Sequence, residues 1–137
     1  MTNAEFDRLT ALLSSGDLLE LTIELAPFLE IGDQDARYLS LHYSIDPDGD
    51  GKSFDAQMVK ELKDLAGDFH SRSLHALAWR HRHGDDVEVD YEKFKSYLTA
   101  AALLGHSQAI SDLARVIEMD LGWSGYVEKL GLSDADV

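Results

Sequence analysis

An all-α fold is predicted by three observations. Only two of 137 residues are proline, while Leu and Ala abound and β-branched residues are few. Apolar residues recur at spacings of three and four, and one such stretch returns along the chain. The length and the 45% hydrophobic content fit a single folded domain.

Taken in order, Phe6, Leu9, Leu12 and Leu13 mark a first helix that stops at Ser14-Ser15-Gly16. Asp17 can cap a second, carrying Leu18, Leu19, Leu21, Ile23 and Leu25. Pro27 is expected to kink or end it, because proline lacks the amide that helix pairing needs. Gly32 punctuates, and Asp33 or Asp35 starts the next helix. Further on, Asp90 is placed to cap a helix whose stripe is Phe94, Tyr97, Leu98, Ala101 and Ala102, and Gly105 ends it. The tail is expected to fold back as a small closing helix around Trp123, Tyr126, Val127 and Leu130, with Asp134 to Val137 loose.

The internal similarity lies between SLHALAWRH, from Ser73, and AISDLARV, from Ala109. Leu77 meets Leu113 and Ala78 meets Ala114, 36 residues apart. Backwards, DARYLSLHY from Asp35 sets Leu39 and Ser40 at the same two places, 38 residues earlier. A Leu followed by a small residue lets two helix axes approach closely. Between the copies lies a second helix, whose looser equivalents one unit earlier are Met58, Glu61, Leu62, Leu65 and Ala66.

The segment Ser73 to Ala109, SLHALAWRHRHGDDVEVDYEKFKSYLTAAALLGHSQA, resembles the Sel-1-like repeat, a relative of the tetratricopeptide repeats. The resemblance is carried by Leu77-Ala78, Gly84, Val87, Asp90-Tyr91, Tyr97-Leu98, Ala101-Ala102 and Gly105. His81, Asp86 and Glu61 depart from that pattern. It implies a short right-handed α-solenoid of antiparallel helix pairs: an N-terminal pair over 1–34, a degenerate repeat over 35–72, the best repeat over 73–108, and a partial repeat with a closing helix over 109–137.

Twelve basic against 26 acidic residues give a net charge of −14. That field repels phosphate backbones and anionic lipid and favours encounter with a basic protein. There is no Cys, so disulfide and thiolate chemistry are excluded. The start MTNAEFDRL lacks the basic and apolar run of a secretory signal. No apolar stretch approaches the roughly 18 residues of a span. A cytoplasmic protein is expected.

The stretch DPDGDGKSFDAQ sets Asp46, Asp48, Asp50 and Gly51 at the opening positions of a calcium loop. It departs at Ser53, where an aliphatic residue belongs, and at Gln57, where a bidentate Glu belongs. These three Asp make a weak calcium candidate, and a solvated acidic turn is the expected reading. His81 and His83 do not share a helix face, and Arg80 and Arg82 would repel a cation, so a surface or interface role is expected there. No G-x-S-x-G, phosphate loop or activated nucleophile is present. His70, Ser71, Ser73 and His75 read only as a helix start. Neither catalysis nor a cofactor is expected.

What remains is surface. The resemblance implies a groove lined by first helices, on which the repeat leaves free Ala36, Tyr38 and Leu41; Leu74, Ala76 and Trp79; and Ile110, Asp112 and Arg115. Tyr38, Leu41, Leu74, Trp79 and Arg115 are the candidate partner contacts. Asp46, Asp48, Asp50, Asp85, Asp86 and Glu88, with Asp90, form an expected acidic rim that would steer a basic partner in. Small acidic solenoids of this repeat resemble bacterial immunity proteins, which neutralise a cognate toxin by covering its active site. That is the expected function, with a general adaptor or a calcium-responsive regulator as alternatives.

Overall fold

Local signals account for where each helix starts and stops. The first, α1 (Asn3–Ser15), opens on a capping box. Thr2 Oγ1 accepts from the Glu5 amide at 3.1 Å, and Glu5 Oε1 accepts from the Thr2 amide at 2.9 Å. It is followed by α2 (Leu18–Glu30), α3 (Gln34–Ser40), α4 (Gly51–Gly67), α5 (Ser71–His83), α6 (Tyr91–Leu103) and α7 (Ser107–Lys129). The computed structural model describes residues 1–45, 50–129 and 131, with 121–129 by backbone alone. Among the described residues there are seven helices and no strand. No helix among them is long and apolar enough to cross a membrane.

One turn is used four times. Its left-handed residue is Gly16, Gly32, Phe69 or Gly105, and the following helix begins two residues later. In each, the left-handed residue's amide reaches back three residues and the next amide five. At the last turn these bonds are Gly105 to Ala102 at 2.9 Å and His106 to Ala101 at 3.1 Å. This double bond satisfies carbonyls that a helix end would otherwise leave bare.

At the last three of these turns the side chain of the next residue bonds into the first turn of the following helix. Asp33 Oδ1 accepts from the Ala36 amide at 2.9 Å, and His106 Nδ1 accepts from the Ala109 amide at 3.1 Å. At the middle turn, His70 Nδ1 meets Ser73 Oγ at 2.7 Å. The third residue after each cap is therefore Ala36, Ser73 and Ala109, and all three are fully buried. The turns thus pair Ser73 with Ala36, one residue later than the Asp35 that the apolar pattern suggests.

Each helix packs on the next, and α3 also touches α1 and α5. Two apolar clusters result. Phe6, Leu9, Leu21, Leu25, Ala36 and Leu39 form the first. The second draws Leu62, Leu77, Ala78, Phe94, Leu98 and Ala101, among others, from α4 to α7. Tyr38 packs against both.

The structure departs from the sequence reading in several places. Pro27 does not end α2, which runs on to Glu30. Both Pro27 and Ile23 are exposed, so water can satisfy the Ile23 carbonyl that proline leaves unpaired. Asp17 stands before α2 but makes no side-chain cap bond; its carboxylate accepts from Ser15 Oγ at 3.0 Å. Helix α7 continues to Lys129, so Trp123, Tyr126 and Val127 lie on it rather than on a separate returning helix. Leu130 and Asp134 to Val137 lie outside the described residues. Gly84 ends α5 at φ +70°, and a Cβ there would meet Val89 Cγ2 at 2.7 Å, so both its backbone and its surroundings require glycine.

Candidate functional site

The packing of alternate helices gathers α1, α3, α5 and the start of α7 around one cleft of about 260 Å³. Phe6 and Leu13 come from α1, Tyr38 and Leu39 from α3, and His42 from the turn after it. Arg72 and His75 come from α5, and His106 is the cap of α7. Tyr38 lies at the centre, its ring 6.3 Å from Phe6, 4.6 Å from His42 and 5.7 Å from His70. The Arg72 guanidinium lies 3.6 Å over the Phe6 ring and donates to Asp35 and Asn3 at 3.2 Å each.

The imidazoles are fixed by their partners. His42 Nδ1 lies 2.8 Å from the Tyr38 carbonyl, which can only accept, so this nitrogen carries the proton. His106 Nδ1 accepts from an amide, so its proton sits on Nε2. His75 Nε2 lies 2.8 Å from Asp112 Oδ2, and its ring stacks on His106 at 4.6 Å. Burial, with the Arg80 charge, lowers the His42 pKa against the pull of the Tyr38 carbonyl. Burial first, then the neighbouring His75 and Arg72 charges, lowers that of His106. Burial would raise the Asp112 carboxyl, but hydrogen bonds from His75, Gln108 and Trp79 together outweigh it and hold it below its ordinary value. The hydrogen bond from His70, with the Arg72 charge, likewise depresses Asp35.

Asp35, His70 and Ser73 form a line with 2.7 Å at each step, the spacing of a hydrolytic triad. Ser73 is fully buried, however, so its hydroxyl has no access to a substrate carbonyl. The line ties α3 to the first turn of α5.

The expected contact residues are placed unevenly. Tyr38 lines the cleft. Leu41 stands just beyond α3, half-buried against the second cluster. Leu74 is 5% exposed and belongs to the core, because the turn before α5 rotates it inward. Trp79 is half-buried under α6 and α7: its ring lies 5.0 Å from Phe94, and its N–H donates to Asp112 Oδ2 at 3.2 Å. Ala36 and Asp112 are buried, while Arg115 is exposed on α7, away from the cleft lining.

Of the acidic rim, Asp46 and Asp48 lie outside the described residues. Asp50 caps α4, accepting from the Lys52 amide at 3.2 Å and Ser53 Oγ at 3.0 Å. Because α4 begins at Gly51, the Lys52 carbonyl that a calcium loop would use lies in a helix. Asp85 and Glu88 are exposed, and Asp86 pairs with Arg80 at 3.2 Å. Asp90 accepts from the Lys93 amide at 3.0 Å, as the sequence predicts. His81 is buried rather than on the surface; its Nδ1–H donates to the Glu88 carbonyl at 3.0 Å, pinning this loop to α5. Among the described residues, no group of three or more His, Asp or Glu is placed to hold a metal ion.

His42, Arg72, His75 and His106 are cleft residues that periodicity does not single out. One signal points to two of the turns: an αL residue, His and Ser recur as Phe69-His70-Ser71 and Gly105-His106-Ser107. Comparison with protein-family models, curated proteins and solved structures finds no match to the chain.

Proposed function

We propose that this chain is a non-enzymatic protein-binding module built as a short right-handed α-solenoid of Sel-1-like helix pairs, and that its specific use is as an immunity protein for a bacterial toxin. The observation that carries this reading is the cleft that α1, α3, α5 and the cap of α7 line together, with aromatic groups at its centre. The recurring turn before α3, α5 and α7, each with a small buried third residue, supports the repeat. The net charge of −14 supports a basic protein partner rather than nucleic acid or a membrane surface. It acts in the cytoplasm, without a cofactor.

The test is co-expression with the toxic product encoded beside it. Cells are expected to survive only with this chain, and the two proteins to co-elute as one complex that resists high salt. Leu41→Ala and His42→Ala together are expected to lose protection while keeping the helical spectrum. Absence of protection and of a complex would remove the reading.

A general adaptor is the second reading. It is favoured by a separate apolar stripe on α2, where Leu19 and Ile23 are each 73% exposed. Two partners bound at once, by non-overlapping surfaces and with affinity that fades in salt, would select it.

A further inference from the structure

We propose that the cleft is a carboxylate-recognition pocket, which receives an acidic group of the protein partner flanked by apolar atoms. The source of that group rests on the binding reading above; the chemistry of the pocket does not. Its lining contains Arg72 and three imidazoles and no carboxylate, although the chain carries 26 acidic against 12 basic residues. The carboxylates that touch lining residues are already engaged. Asp35 is held by His70 and Arg72, and Asp112 by His75, Trp79 and Gln108. The cleft is thus a gap in the negative surface.

The donor geometry follows from the tautomers. His106 Nδ1 is committed to the Ala109 amide, so its Nε2–H is left to donate, and it has no partner among the described residues. His42 has Nδ1 on the Tyr38 carbonyl, so its free nitrogen is Nε2, which becomes a second donor once it takes up a proton. A charge-assisted bond to each carboxylate oxygen would use both. Phe6 and Leu13 supply the apolar wall, and about 260 Å³ holds a group the size of one side chain rather than a peptide.

Protonation at His42 Nε2 breaks no existing bond, whereas protonation at His106 Nδ1 would uncap α7. The proton that accompanies binding therefore goes to His42, which faces Tyr38 of the preceding α3 and Arg80 of α5. His106 stays neutral beside His75, with Arg72, Asp112 and His70 around it. Burial and Arg80 disfavour the charged His42 in the free protein, and an entering carboxylate reverses that balance. Affinity then rises as pH falls towards 6.

The test is calorimetry on the full chain with three probes of one shape: 3-phenylpropionate, its amide, and 3-phenylpropylammonium. The acid is expected to bind at least about tenfold more tightly than either other probe at pH 6. It is also expected to weaken about three- to tenfold by pH 7.5, with proton uptake seen as a heat that depends on buffer ionisation. Acetyl-Phe-Glu-amide and acetyl-Gln-Phe with a free C-terminus then separate a side-chain from a terminal carboxylate; tighter binding of either supports the pocket and identifies the source.

His42→Gln should abolish the pH dependence. His106→Asn, which keeps a capping oxygen, should weaken the acid at every pH without lowering Tm. Equal binding of the amide or the ammonium, or no heat from any probe at about 10 mM, overturns the proposal. Because no partner is involved, that failure leaves the toxin-protection test standing, and failed protection leaves this one standing.

Discussion

The cluster of α1 to α3 and the cluster of α4 to α7 are built from different material. The first is four Leu, one Phe and one Ala, and its outer helix turns Leu19 and Ile23 to solvent. The second interleaves Leu and Phe with Ala66, Ala78, Ala101 and Ala109, so its helices approach closely and Phe94 is wholly enclosed. The length of the connecting helix explains much of the contrast. With seven residues, α3 offers two turns of surface, where α5 offers thirteen residues. A short helix buries less on each side, so the halves join through a narrow contact centred on Tyr38, Asp35 and His70.

The sharpest way to break this comparison is to empty the tighter core. Leu98→Ala is expected to cost near the upper end, and Leu9→Ala in the first cluster near the lower end, of the about 2–5 kcal/mol range for such deletions, both side chains being fully buried. Urea unfolding measures both. Equal costs would mean that the two cores are packed alike.

Cutting the link between the halves comes next. Tyr38→Ala, removing a half-buried ring, is expected to cost about 2 kcal/mol. It should also lower the denaturant slope, because halves that no longer unfold together broaden the transition. An unchanged slope would show that Asp35 and His70 suffice to couple them.

A smaller effect comes from acid, and it separates the imidazoles from the carboxylates by pH. His42 and His106 have depressed folded values, so the folded state holds fewer protons than the unfolded one. Their contribution is present above about pH 6.5 and is lost as pH falls below it. Asp35 and Asp112 are also depressed, so their contribution is present above the ordinary carboxylate value, near pH 4, and is lost as pH falls through their folded values. Discounted for solvent screening, the imidazole step is expected to lower Tm by about 1–3 °C between pH 7.5 and 5.5. His106→Asn should remove the share that His106 contributes and leave that of His42. A flat Tm across that interval would mean that His106 does not cap α7 as a neutral ring.

Helices were legible in the sequence where a periodic stripe and a cap agree, as at Asp90 with Phe94, Leu98 and Ala101. Where one residue serves two patterns, the reading fails. Asp50 fits both the fifth position of a calcium loop and a helix cap; it caps, and half of the expected loop is helix. Leu39 and Leu77 share an apolar rhythm, yet the turns set the register one residue away, because backbone pairing at Gly32 and Phe69 fixes where each helix starts. The cleft was hardest to see. Its residues come from four separate elements, and His42 and His106 serve it through tautomers that depend on bonds to Tyr38 and Ala109, which no spacing reveals.

The smallest prediction concerns the turn that leads from α4 into α5. Two of the three turns before α3, α5 and α7 use glycine at the left-handed position; here it is Phe69, at φ +62° and 76% exposed. A bulky residue there costs roughly 1–2 kcal/mol in steric strain, and so exposed a ring recovers little by packing. Phe69→Gly removes the strain but frees the unfolded chain, returning about 0.5–1 kcal/mol of the gain. The net expectation is a stabilisation of about 0.5–1 kcal/mol, seen as a higher urea midpoint at unchanged slope. A loss of stability would instead place the Phe69 ring in a contact that helps hold α5 to α7, making this turn a third link in the junction rather than a strained copy of its neighbours.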